Sequence, residues 1–182
     1  MLIPLGQQVQ KIVDQCVEAN RQYLVLWKQH ILFRGVWWFE VALLVVPLML
    51  WGLFHKRDST DRLAYTGLIV LLVSAWLDFI GNSYGLWYYP YKLIPVLPPF
   101  IPWEAAIVVE ALALLQWKPQ ASPYWKAVLF GAFNAFAMEP LMHKTGIYQP
   151  LHWPYIYSFP VYGCIFLAAH WVSRRHRFAE LE

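Results

Sequence analysis

Trp76-Leu77-Asp78-Phe79-Ile80-Gly81-Asn82-Ser83-Tyr84-Gly85-Leu86-Trp87-Tyr88 starts inside an apolar run and ends in an aromatic loop. Seven residues later a proline-rich stretch begins that leads into Ile101-Pro102-Trp103-Glu104, where the chain turns apolar again. The apolar run over 63–83 is long enough to cross a bilayer, whose core of about 30 Å needs about 20 apolar residues per helix. Asp78 therefore lies within one span, and Glu104 opens the next. A carboxyl inside hydrocarbon costs a few kcal/mol unless it faces a partner or a cavity, so acids placed this way read as a site.

Working outward, the same pattern repeats. Apolar blocks at 36–54, 63–83, 100–117, 124–142 and 154–173 predict five transmembrane helices, an all-α membrane bundle. The composition agrees: 59% of the 182 residues are hydrophobic and only 14% charged, against about 25% charged in soluble domains. Many of the eleven Trp and eleven Tyr cluster near block ends, as interfacial belts do. Before the first block, Val9, Ile12, Val13, Cys16, Val17, Tyr23, Leu24, Trp27 and Ile31 recur at helical spacing. This predicts an amphipathic helix over 7–33, lying in the membrane interface or packing against the bundle or against a homo-oligomer or membrane partner. The domain division is an N-terminal helix at 1–35, a transmembrane domain at 36–177 and a tail at 178–182.

The net charge of +3 gives no reason to expect nucleic acid. Two cysteines far apart, Cys16 and Cys164, form no disulfide framework. The first twenty residues lack the apolar core of a signal peptide. Lys and Arg in the loops and tail number eight on the side of 55–62, 118–126 and the C-terminus, against two on the other side, at Lys92 and Lys144. The expected location is a bacterial cytoplasmic membrane, N-terminus outside and C-terminus inside.

That topology places Glu40, Asp78, Glu104 and Glu139, from four different helices, at a similar depth toward the outer leaflet. Glu40 reads either as a solvated interfacial acid or as a ligand-binding residue of the same layer; Asp78, Glu104 and Glu139 read as the chemical core. An internal repeat supports the pairing of two of them. Residues 77–88 and 138–149 align at an offset of 61, each with an acid, a glycine seven residues later, then aliphatic and aromatic side chains. Asp78 with Asn82, and Glu139 with His143, stand four apart and share a helix face. Trp87, Trp103 and Tyr148 are expected at the mouth of the pocket, with Asn134 as a further ligand-binding candidate, and Glu110 either pairs with Asn134 or faces another subunit. His143 and His152 lack a diagnostic metal spacing, so no metal and no cofactor is expected. A phosphate loop, HExxH and CxxC are all absent from the sequence.

Asp78…Gly85-Leu86-Trp87-Tyr88…Pro102-Trp103-Glu104 resembles the lycopene cyclase domain of bacteria, archaea and fungi. That resemblance implies cofactor-independent protonation of a polyene by a buried carboxylic acid. The family's second acid after the proline is here Ala105. Over 36–177, including Tyr89-Pro90-Tyr91-Lys92-Leu93-Ile94-Pro95, Glu139-Pro140 and Tyr157-Ser158-Phe159-Pro160, the chain also resembles a family of five-helix membrane proteins of Gram-positive, often spore-forming bacteria, to which no activity is attached. The leading expectation is binding of a lipid or isoprenoid-like ligand near the outer leaflet. A transport, channel or assembly subunit and a cyclase-like enzyme are the alternatives.

Overall fold

A computed structural model describes residues 4–98 and 101–175. The chain is mostly helical. Helix α1 (Leu5–Leu26) continues into a π-type turn at Trp27–Ile31. Phe33, at φ +58°, then breaks the backbone before α2 (Gly35–Phe54). Helix α3 is Thr60–Ser83 and α4 is Ile101–Gln116. A helical run over 123–144 comprises α5 (Pro123–Phe133), a π-type segment (Asn134–Met138) and α6 (Glu139–Lys144). Helix α7 is Tyr155–Ser173.

The expected blocks and observed helices differ by a few residues at their ends. The expected tail, 178–182, lies outside the described residues. Among the described residues, three segments are long and apolar enough to cross a membrane: Gly35–Phe54, Arg57–Ser83 and Tyr155–Ser173. The other two expected blocks are helical as well, α4 over 16 residues and the run 123–144 with its π segment. Pro140 accounts for that interruption. It lacks an N–H, and its ring crowds the carbonyl four residues back, at Phe136, which the wider π turn moves aside.

Polarity is inverted relative to a water-soluble bundle. The one buried residue of α2 is Glu40, while Val45, Val46, Leu48, Met49, Leu50 and Leu53 are exposed. Along α3, Leu68, Leu71, Leu72, Trp76, Phe79 and Ile80 are exposed, whereas Thr66, Ser74 and Asp78 are buried. An apolar girdle of this extent suits lipid rather than water. Helix α4 packs on α2 and α3, and α7 packs on α3 and α5. At one end of the bundle Lys126, buried on α5, donates to the carbonyls of Leu114 (2.9 Å) and Trp117 (2.5 Å). These are orphan acceptors at the C-terminus of α4.

At the opposite end, two loops are stitched together. Strand β1 (Trp87–Tyr88) pairs antiparallel with β2 (Gln149–Pro150). The amides of Leu151 and His152 both donate to Leu86 O at 2.9 Å. The helix ends feeding these strands carry the same bonds at the offset of 61. Tyr84 N–Ile80 O matches Thr145 N–Leu141 O, and Leu86 N–Gly81 O matches Ile147 N–Met142 O. Gly85 (φ +65°) and Gly146 (φ +80°) take the left-handed conformation that ends each helix.

Near its C-terminal end, helix α1 and the π-type turn that continues it meet the loop after α3. Tyr23 Oη donates to Pro90 O (3.2 Å) and Trp27 Nε1 to Lys92 O (2.7 Å). Its apolar positions Val9, Ile12, Val13 and Val17 are exposed.

Candidate carboxyl site beneath the paired loops

Asp78, one turn from the end of α3, faces α4 and accepts hydrogen bonds from the loop that follows its own helix. Trp87 Nε1 donates to Oδ1 at 2.6 Å, and Tyr89 Oη reaches Oδ1 at 2.9 Å and Oδ2 at 3.0 Å. The indole gets there by packing directly against Gly81, where a Cβ would come within 2.1 Å of two ring carbons. Across the helix interface Asp78 faces Glu104, the acid of the first turn of α4, and the two carboxyls line the same cavity. Ser74, one turn below Asp78, contacts Glu104 Oε2 and Val70 O.

Glu139 closes the triangle from the first turn of α6. It is 6% exposed, and its Oε2 has no hydrogen-bond partner among the described residues. The hydroxyls of Ser158 and Tyr162, on α7, stand beside the carboxyl. Trp153 fixes Ser158 by donating to its Oγ at 2.9 Å. Asp78, Glu104 and Glu139 line one cavity of about 60 Å³. Its apolar walls include Leu77, Ile107, Val161 and Ile165, and the loop residues Trp87, Tyr89, Tyr148 and Trp153 cover it. Trp87 and Trp153 meet edge to face at 5.3 Å, and Tyr89 and Tyr148 pack at 5.6 Å. One aromatic of each couple comes from either loop, so the strand pairing that joins the loops also assembles the lid.

A second cavity of about 20 Å³ lies on the other side of Glu139 and is lined by Glu40, Trp103, Tyr148 and Met142. Glu139 thus borders both chambers. The expectation of a solvated Glu40 is corrected here: the side chain is 2% exposed, covered by the folded-back loops and by Tyr148.

Of the residues singled out in the sequence, Asp78, Glu104, Glu139, Trp87, Tyr148, Trp103 and Glu40 gather at these two cavities. Three do not. Asn82 lies one turn beyond Asp78, about 6 Å further along the axis, and borders a separate groove near α1. His143 bears the same relation to Glu139; it is exposed, with Nδ1 2.5 Å from Tyr155 Oη. Asn134 donates to Glu110 Oε2 (3.0 Å) and to Phe130 O (3.0 Å), away from the cavity. Tyr89, Trp153, Ser158 and Tyr162 were not anticipated. Tyr89 and Trp153 belong to the aromatic loops that read as interfacial belts, and Ser158 and Tyr162 sit in an apolar block without an acid of its own. Among the described residues no group of three His, Cys, Asp or Glu is arranged to hold a metal ion.

Comparison with protein families, with characterised proteins and with solved structures finds no match to this chain.

Proposed function

We propose that the chain is a five-span protein of a bacterial cytoplasmic membrane, N-terminus outside, whose Asp78–Glu104–Glu139 cluster binds a proton or a small cation in passage. The observation that carries this reading is Glu139 Oε2, buried without a partner among the described residues, in a cavity of about 60 Å³ that it shares with the carboxyl pair. A water needs about 10–15 Å³ of such space, so the cavity holds a few waters, an ammonium or a hydronium-sized ion. A ligand of drug or lipid size needs a pocket of about 300 Å³ or more. Intramembrane acids that face one another across a small polar space are the usual parts of proton and ion paths.

The matching helix ends at an offset of 61 support descent from a duplicated helical hairpin, with Glu139 as the counterpart of Asp78. The lipid or isoprenoid reading, and with it acid-catalysed cyclization, retains one observation of its own. The cavity wall at Leu77 and Val161 is apolar and only partly covered, so a chain end could reach the acids from the side.

The test is flux into vesicles containing the purified protein and a trapped pH indicator, under an imposed proton or ammonium gradient. Asp78→Asn and Glu139→Gln are expected to reduce flux at least tenfold, while Asn82→Ala, outside the cavity, leaves it intact. Flux equal to that of empty vesicles would overturn the reading. An isoprenoid that co-purifies with the wild type and is lost from Asp78→Asn would replace it with the second.

A further inference from the structure

The largest of the grooves described is not the carboxyl cavity. A space of about 640 Å³ opens between the end of α1, the end of α3 and the proline-rich loop. Arg21 and Asn20 reach it from α1, Asn82 and Ser83 from α3, and Lys92 from the loop. Leu24, Phe79, Val96 and Leu97 supply its apolar part. Its position is at the belt. Trp27 and Trp37 donate to the carbonyls of Lys92 and Leu93 (2.7 and 2.9 Å), and Phe33, Trp37 and Trp38 form an aromatic cluster beside them. Trp-rich belts sit at headgroup level.

The cations in this groove are poorly matched within the protein. Lys92 is half-buried, with its ammonium 4.9 Å above the Tyr23 ring and 3.5 Å from Pro95 O. None of the ion pairs found among the described residues includes it. Burial pulls its pKa below the usual lysine range, as expected for a charge lacking an anion. Arg21 has one partner, Glu18, at 3.8 Å and exposed, which is worth little. A guanidinium and an ammonium flanked by three small polar side chains form a recognition set for phosphate. The adjoining Leu24, Phe79, Val96 and Leu97 suit the first methylenes of an acyl chain.

We propose that this groove binds the phosphate headgroup of an anionic phospholipid, with Arg21 and Lys92 as its charge partners and Asn82 and Ser83 as hydrogen-bonding groups. The bound lipid would hold α1 against the membrane surface, with Val9, Ile12 and Val17 toward the acyl chains. The site is separate from the carboxyl cavity and does not depend on what that cavity carries.

Native mass spectrometry of the full chain in detergent, incubated with phosphatidylglycerol or with phosphatidylcholine, tests the assignment. Wild type should retain phosphatidylglycerol at least tenfold better than phosphatidylcholine. Arg21→Gln and Lys92→Gln should each lower that retention about tenfold. Glu18→Gln should raise it, because the competing carboxylate is gone; a gain cannot come from misfolding. Equal retention of the two lipids, or phosphatidylglycerol retention unchanged in the Arg21→Gln, Lys92→Gln double variant, would overturn the proposal. So would inorganic phosphate binding that the same variants abolish, without enrichment of the lipid.

Discussion

Replacing Gly81 by alanine should injure the protein through a residue six positions away. In the native arrangement the Trp87 indole occupies the space a Cβ at position 81 would need, so Gly81→Ala must evict the ring. Eviction breaks the 2.6 Å bond to Asp78, worth about 2 kcal/mol for a charged or strongly polar acceptor. It also breaks the edge-to-face contact with Trp153, worth about 1 kcal/mol. Alanine in a helix interior returns about 1 kcal/mol relative to glycine, leaving a net destabilisation of about 2 kcal/mol. In a Trp87→Ala background there is no ring to evict, and only the helix-propensity gain remains. The sign should therefore reverse, Gly81→Ala then stabilising by about 1 kcal/mol, a coupling of about 3 kcal/mol across the cycle. Reversible denaturant unfolding of the detergent-solubilised chain, followed by far-ultraviolet circular dichroism, measures all four corners. Equal effects of Gly81→Ala in both backgrounds would refute the claim that glycine is there for the tryptophan.

Other expectations follow from individual contacts. Gly85→Ala and Gly146→Ala, both at positive φ, should each cost about 1–2 kcal/mol in the same unfolding assay, and by matching amounts, since neither meets a steric obstacle. Asn134→Leu removes the donor to Glu110 and should cost about 1 kcal/mol; adding Glu110→Leu should recover most of it, which a double-mutant cycle checks. Lys126→Met strips two carbonyls at the end of α4 of their donor and should cost about 2 kcal/mol, seen as a lowered unfolding midpoint.

The spans were legible because a bilayer sets one length scale, and 36–54, 63–83 and 154–173 match it without help from packing. The π segment was less so, since Pro140 signals a defect but not its form. Asp78, Glu104 and Glu139 stood out because acids in apolar runs are rare enough to mark themselves. Their donors did not. Nothing in the spacing of Trp87 or Tyr89 says whether an aromatic ring points to the membrane surface or folds back onto its helix; Gly81 decides that for Trp87. Asn82 and His143 share a face with their acids, but face alone ignores depth, and one turn along the axis was enough to leave the cavity. Glu40 was misread for a related reason. Its distance from the helix end was visible, whereas the loops that cover it come from elsewhere in the chain.

The donors to Asp78 have a consequence for biogenesis. Trp87 and Tyr89 lie nine and eleven residues after the acid, so Asp78 acquires partners as soon as its own loop has been synthesised. Glu104 meets Asp78 one helix later. Among the described residues no hydrogen-bond donor to Glu139 comes from the loop that follows it, although Tyr148 lines the cavity there; Ser158 and Tyr162 arrive only with the last helix. The nascent protein thus carries two carboxyls that are settled early and a third that waits for the end of translation. The β1–β2 ladder, which joins segments about sixty residues apart, is the step that seals the cavity once it does.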